Sequence, residues 1–143
     1  MPTYYNNLDT LLEQACAALV AAAGLTAFSG MDASEIEPPC VICHAQGGEE
    51  FPQYSGNFWQ TASITVMSVG TVASSATLTA HKTLCAQVFD LFVTDDTRGD
   101  ITAAATSFGV IGIRNRRIAD TKIEDRKWIS ELTFEALVCA TDL

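Results

Sequence analysis

Two long segments with alternating residue character place the strongest limit on what this chain can fold into. In Phe58–Val69 and Lys127–Ala140, successive side chains would project to opposite faces of a strand. The first segment has one mostly apolar face, which we expect to look toward a core: Phe58, Gln60, Ala62, Ile64, Val66 and Ser68. Both segments therefore predict long β-strands in a sheet with one buried face.

Two further segments have the three- and four-residue spacing of amphipathic helices. Thr3–Ala23 carries apolar residues at that spacing and is followed by Gly24, a residue that often ends helices. Ala76–Val93 carries a second stripe, formed by Leu78, His81, Leu84, Cys85, Val88, Leu91 and Phe92. Shorter β-prone runs at Cys40–Ala45 and Phe108–Ile113 complete the pattern.

The order of these elements predicts an α+β fold in one domain of 143 residues. We expect two helices packed on one face of a mainly antiparallel four-stranded sheet, in the order α-β-β-α-β-β. The last two strands should form a hairpin, with Asn115–Arg126 as a long charged tip. Between the first two strands, Gly47–Asn57 is expected to be a loop.

The sequence Cys40-Val41-Ile42-Cys43-His44 matches the pattern of covalent haem attachment. A strand here would point Cys40 and Cys43 to opposite faces, which disfavours that chemistry. Zinc is a second alternative, with ligands from this segment joined by His81 and Cys85, which lie four residues apart on a predicted helix. The wide separation of the two pairs favours core cysteines and partly buried histidines, so we expect no cofactor.

Recognisable catalytic motifs are missing from the sequence. Neither histidine belongs to a serine or cysteine nucleophile motif, and no glycine-rich nucleotide loop occurs. The acidic pairs Glu49-Glu50 and Asp95-Asp96 flank predicted turns, where adjacent carboxylates are usually solvated. We therefore predict that the protein is not an enzyme.

The net charge of −9 is distributed unevenly along the chain. Residues 1–113 contain 11 acidic and 2 basic residues, whereas residues 114–143 contain 6 of each. The basic residues of the second part form a strip: Arg114, Arg116, Arg117, Lys122, Arg126 and Lys127. This balance disfavours general nucleic-acid binding, which needs a broad positive surface.

Two interpretations of the basic strip are open. It can be a solvated hairpin balanced by its own acids, or it can contact the acidic surface of a neighbouring copy. The second interpretation makes the following residues candidate subunit contacts: Arg114, Arg116, Arg117 and Lys122 on one side, and Glu35, Glu37, Glu49 and Glu50 on the other.

In layout the chain resembles the tail terminator proteins of long-tailed bacteriophages, also called tail completion or head–tail joining proteins. The similarity lies in the chain length, the helices Asn7–Ala23 and Ala76–Val93, the strands Pro38–Ala45 and Phe58–Val69, and the closing hairpin Phe108–Ala140. It covers nearly the whole chain but includes no sharp residue signature. It therefore transfers no functional residue.

The resemblance implies a homo-oligomeric ring, expected to be a hexamer, at the head-proximal end of a tail tube. Such a ring would stop tube polymerisation and join the tail to the head. The implied partners are the tail tube protein, a head-completion or neck protein, and DNA that passes through the lumen without specific binding. The alternative in the same class is another neck or tail component, either a tube subunit or a head-completion protein.

Hydropathy adds an expectation about location. The longest apolar run, Ala15–Leu25, is about half of the roughly 20 residues that a membrane-spanning helix needs. The first residues also lack the positive charge and apolar stretch of a signal peptide. We expect synthesis in the host cytoplasm, incorporation into the tail or neck of the virion, and no membrane partner.

Overall fold

The computed structural model describes residues 8–30, 39–51, 58–72, 75–93, 99–101, 108–119, 121–124 and 126–140. A helical segment at 99–101 precedes the last three strands. The other elements, in chain order, are α1 (Leu8–Ala22), β1 (Ala27–Ser29), β2 (Cys40–Phe51), β3 (Phe58–Thr71), α2 (Ser75–Phe92), β4 (Phe108–Ile118), β5 (Lys122–Glu124) and β6 (Lys127–Ala140).

All six strands belong to one mixed sheet. Its order is β1-β2-β3-β6-β4, and β5 also pairs with β6. β1 runs parallel to β2, and the remaining pairs are antiparallel. At the centre, β3 and β6 stay in register from Phe58 opposite Ala140 to Thr71 opposite Lys127. The two segments with the clearest alternation therefore form the middle of the sheet.

The predicted four-stranded, mainly antiparallel sheet in the order α-β-β-α-β-β is wrong. The sheet has six strands, and β1 and β2 form a parallel pair. The two missed strands, β1 and β5, have only three residues each, too few to show a periodic pattern. Their pairing depends on the neighbouring strand, which a local pattern does not contain.

The ends of the strands also differ from the prediction, because strand pairing continues through residues whose sequence predicted a loop. β2 continues through Gly47 and Gly48 to Phe51, with a shift of register between Gly47 and Glu50. Such a bulge lets a strand absorb residues that resemble a loop. The end of α1 agrees with the sequence, because Gly24 follows it with a φ of 87°.

The predicted closing hairpin is present, but its tip is much shorter than Asn115–Arg126. β4 pairs with β6 as far as Ile118, and pairing resumes with Lys122–Glu124 in β5. Most of the charged segment therefore belongs to the sheet.

One face of the sheet carries the main core, and both long helices pack on it. Phe92 of α2 and Phe134 of β6 are both buried, with ring centroids 5.9 Å apart, a common distance for aromatic pairs. Each large apolar side chain buried in this way contributes about 1.5–3 kcal/mol. Other buried members are Leu12, Cys16 and Val20 of α1, Leu84 and Val88 of α2, and Val41, Ile64, Val66 and Leu132 of the sheet.

No helix covers the opposite face of the sheet within the described part of the chain. A small apolar cluster lies on it, formed by Cys40, Ile42 and Val69 with Phe28 and Met67 packed against them. Part of this face is polar and at least partly exposed, with Ser63, Thr65, Thr133 and Glu135 on neighbouring strands, whereas Ile129 and Cys139 on the same face are buried. We call this polar surface the open face.

Candidate functional site: a polar cleft on the open face

The structure separates the residues of the haem-like motif. As predicted, Cys40 and Cys43 lie on opposite faces of β2, Cys43 in the main core and Cys40 in the small cluster. Burial, with a smaller effect of the Glu13 carboxylate, raises the pKa of Cys43 to about 12. His44 is half-buried on the Cys40 face. Two thioethers to one porphyrin would require both sulfurs on the same side, so this geometry opposes covalent haem attachment.

His81 and Cys85 do come together, but with hydroxyl groups as their neighbours. His81 Nε2 lies 2.9 Å from Ser130 Oγ and 3.4 Å from Cys85 Sγ. Ser130 Oγ is in turn 2.7 Å from Thr121 Oγ1. Among the residues that the structure describes, no three His, Cys, Asp or Glu side chains are grouped for a metal ion. The predicted zinc alternative therefore lacks a converging ligand set in this part of the chain.

A β-bulge in β4 divides the basic strip between the two faces of the sheet. The register with β6 shifts between Arg114, opposite Glu135, and Arg117, opposite Thr133. Asn115 within the bulge has a φ of 57°, a conformation that asparagine adopts more readily than most residues. Arg116 turns toward the helices, where its Nε donates a 3.1 Å hydrogen bond to the carbonyl oxygen of Phe92. A cation there compensates the negative end of α2.

Two cations of the strip, Arg114 and Lys122, already have carboxylate partners in the same chain. Arg114 Nε lies 2.9 Å from Glu135 Oε2, and Asn115 Nδ2 donates to the same oxygen at 3.1 Å. Lys122 Nζ is 3.7 Å from Glu124 and 3.9 Å from Glu131. These exposed pairs add little stability, on the order of 0–1 kcal/mol each. They do neutralise the charge that the strip was predicted to offer a neighbour.

Arg117 differs from these residues. It is exposed, and it forms no ion pair with any residue that the structure describes. It lines a cleft of about 600 Å³ on the open face, together with Ser63, Thr65, Asn115, Thr133 and Glu135. The Glu135 carboxylate in this lining is paired with Arg114. The hydroxyl groups, the Asn115 amide and the Arg117 guanidinium, which has no ion-pair partner among the described residues, suit a carboxylate from another molecule.

Two of the four acidic candidates can be placed relative to this cleft. Glu35 and Glu37 fall outside the described residues. Glu49 and Glu50 belong to β2, which β3 and β6 separate from β4. β1 pairs with β2 only from Val41 to Cys43, so in the described structure the rest of β2 forms an edge of the sheet. The part of the strip in β4 (Arg114, Arg116 and Arg117) and the backbone of Glu49 and Glu50 in β2 therefore lie at opposite edges of the sheet.

Sequence reasoning missed the cleft because the bulge that shapes it has only a weak local signal. Asn115, flanked by arginines inside an otherwise β-prone run, is the residue that could have indicated it. The hydroxyl-bearing residues that line the cleft could be predicted in part. Ser63, Thr65 and Thr133 occupy the more polar positions of the two alternating strands.

Searches against models of protein families and against curated proteins find no match for this chain. In the described residues, no helix is both long enough and apolar enough to cross a membrane.

Proposed function

We propose that the protein is a structural component of a bacteriophage virion, a tail terminator that forms a ring at the head-proximal end of the tail tube. The observation that carries this proposal is the placement of opposite charges on opposite edges of one sheet. Arg117 lies in β4 at one edge, and Glu49 and Glu50 lie in β2 at the other. This arrangement suits a head-to-tail ring, in which one patch must meet a different, complementary patch on the next copy.

The internal ion pairs favour Arg117 as the main contact of the strip. Arg114 and Lys122 are already compensated by Glu135, Glu124 and Glu131. The guanidinium of Arg117 can pair with a carboxylate through two parallel hydrogen bonds without breaking an existing ion pair. In this proposal, the Arg117 cleft of one copy receives Glu49 or Glu50 of the next.

The charge balance suits the implied position around passing DNA. With a net charge of −9, the chain repels phosphate overall, and the few cations near the open face are mostly paired. Non-specific DNA binding depends on releasing counterions with free lysine and arginine side chains. A ring of such copies would let DNA pass without retaining it.

The proposal can be tested by growing tail tubes from a tail tube protein encoded in the same genome, with increasing amounts of the purified protein. A terminator shortens the tubes in proportion to its concentration, as measured by electron microscopy. R117E should be a poor terminator because it cannot receive the neighbouring carboxylate. R126E is the matched control, since it makes the same charge reversal at the exposed hairpin turn.

Two results would count against the terminator. If tube lengths stay unchanged at every ratio of this protein to tube protein, the protein does not terminate tube growth. Incorporation of the protein along the whole tube would favour the tube-subunit alternative, because a terminator occupies only the end.

A further inference from the structure

The large apolar side chains that are exposed in the described residues all lie on one side of the molecule. Ile111, Ile118 and Ile123 belong to β4 and β5, which run along the same side of β6, and Val93 directly follows α2, whose last residue contacts β4. Ile118 and Ile123 are the most exposed, at 53% and 60%. Scattered exposed apolar residues are common on proteins, but several along one edge indicate a contact surface.

Ile118 projects from this edge toward the helix side of the sheet. It lies opposite Leu132 of β6, which belongs to the main core, whereas the preceding residue, Arg117, lines the cleft on the open face. Together with Ala86 and Phe89 of α2, Ile118 lines a mainly apolar cleft of about 300 Å³, which we call the helix-side cleft. Two adjacent residues of β4 therefore present a cation on one face of the sheet and an apolar surface on the other.

The charge at the helix-side cleft favours an acidic partner. Lys82 is exposed and is the one charged residue in the described lining of this cleft. It is also one of only two basic residues in the first 113, which contain 11 acidic ones. A cation beside an apolar surface complements an acidic surface with apolar or small side chains, and a second copy of this acidic chain offers one.

The order of the layers shows which part of a second copy can cover the helix-side cleft. Helix α1 packs on β1 and β2 near one edge of the sheet, and α2 packs on β3 and β6, so the end of β4 that carries Ile118 projects beyond α2. In a ring, one rotation relates each copy to the next, so neighbouring sheets keep their helices on the same side. When β2 of one copy faces β4 of the next, α1 comes to lie beside α2 and over Ile118.

The outer surface of α1 is compatible with such a contact. Among the α1 residues whose exposure the structure describes, the exposed ones are uncharged and mostly small: Thr10, Gln14, Ala18, Ala21 and Ala22. A surface of this kind can approach an apolar cleft closely without burying a charge.

We propose that the helix-side cleft receives helix α1 of the next copy, so that each contact between copies is apolar on the helix side and charged at Arg117. The inference rests on the ring proposed above and adds its apolar component. Such a component is needed because an exposed ion pair alone contributes little, and the energy of most interfaces comes from a few well-buried side chains.

A matched pair of variants tests the helix-side cleft. A86E and A80E place the same carboxylate at exposed positions of α2, but only Ala86 lines this cleft. A86E would bury a charge against α1 of the next copy and should raise the dissociation constant of self-association about tenfold or more. A80E should leave it unchanged. Analytical ultracentrifugation measures both, and circular dichroism checks that both variants are folded.

Photo-crosslinking from position 118 identifies the partner. Ile118 is replaced by p-benzoylphenylalanine, which an exposed position tolerates, and the protein is irradiated both in solution and on tail tubes. Mass spectrometry should find crosslinks to residues 8–22 of another copy. Crosslinks to β4 of another copy would indicate a two-fold contact and overturn the inference, as would crosslinks to the tube protein alone.

Failure of this inference can be distinguished from failure of the ring. If the wild-type protein ends tubes and R117E does not, while A86E associates as well as A80E, the ring stands and the apolar contact is wrong. If the wild-type protein associates neither in solution nor on tubes, both are wrong.

Discussion

Glu13 of helix α1 accepts a hydrogen bond from the backbone N–H of Ala45 in strand β2, with 3.0 Å between Oε1 and N. Ala45 lies just beyond the last residue of β2 that pairs with β1. The side chain therefore satisfies a backbone donor at the point where the neighbouring strand ends. Gly30 allows this approach, because a Cβ there would lie 2.9 Å from Glu13 Oε2, and its φ of 67° also favours glycine.

Removing that carboxylate should destabilise the fold. We expect E13A to lower the free energy of unfolding by about 1–3 kcal/mol, since a partly buried N–H loses its charged acceptor. E13Q keeps an oxygen acceptor and should retain most of that stability. Urea unfolding measures both, with D90A at an exposed position of α2 as a control that should change little. Equal stability of E13A and D90A would show that the hydrogen bond contributes nothing.

Reversing Arg117 should weaken self-association and leave the fold intact. Its side chain is exposed and has no ion-pair partner among the described residues, so R117E breaks no internal salt bridge. In the proposed ring the new glutamate would face a carboxylate of the next copy. It should therefore raise the dissociation constant of self-association about tenfold or more. Analytical ultracentrifugation at physiological salt measures it, with R126E as the matched control.

Reversals at Arg114 and Arg116 test a different point. R114E would repel Glu135, and R116E would place a negative charge at the C-terminal end of α2. Both should lower stability in the monomer, which R117E should not. If R117E and R126E associate equally, Arg117 is not the contact.

Acidification should destabilise the protein through His81. Burial lowers the pKa of His81 from its usual value, so the folded state favours the neutral ring. The unfolded chain takes up the proton near pH 6.5, hence the free energy of unfolding should fall as the pH drops below about 6.5. The slope from this one group cannot exceed about 1.4 kcal/mol per pH unit.

Urea unfolding between pH 7.5 and pH 5.5 measures that slope. H44Q, which removes the other histidine, should keep it because His81 remains. H81Q should flatten it, and a slope that survives H81Q must come from other groups.

The five cysteines should be nearly inert in the folded protein. All are buried, and burial raises the pKa of Cys16, Cys40, Cys43 and Cys139. Thiolates are the reactive species, so burial limits access to all five thiols, and the raised pKa values suppress ionisation of these four. Labelling with a thiol reagent at pH 8 should proceed at the rate of unfolding and accelerate in urea. Rapid labelling of Cys40 or Cys43 in the native state would contradict the observed placement of these thiols.

The parts of this fold that the sequence predicts well are those with long periodic signals. The predicted bounds of the last strand, Lys127–Ala140, agree with β6, because alternation over 14 residues defines both its faces and its length. Strand β1 was not predicted because three residues are too few to show an alternating pattern. Its parallel pairing with Val41–Cys43 also depends on contacts between residues distant in sequence.

The candidate site shows the same limit. The sequence indicates a cluster of cations, but the bulge at Arg114–Arg117 decides which face each side chain reaches. Arg116 donates a hydrogen bond to the carbonyl oxygen of Phe92. The two residues are 24 positions apart, so a local sequence pattern does not predict this contact. Arg117 could therefore be distinguished from its neighbours only once the strand pairing was known.

Locating the protein on tail tubes tests the central claim most directly. Tubes assembled from a tail tube protein encoded in the same genome would be mixed with the gold-labelled protein and imaged by electron microscopy. A terminator predicts one ring of label at a single end of each tube, and loss of that label with R117E but not with R126E. Label distributed along the tubes, or no label on them, would contradict the assignment.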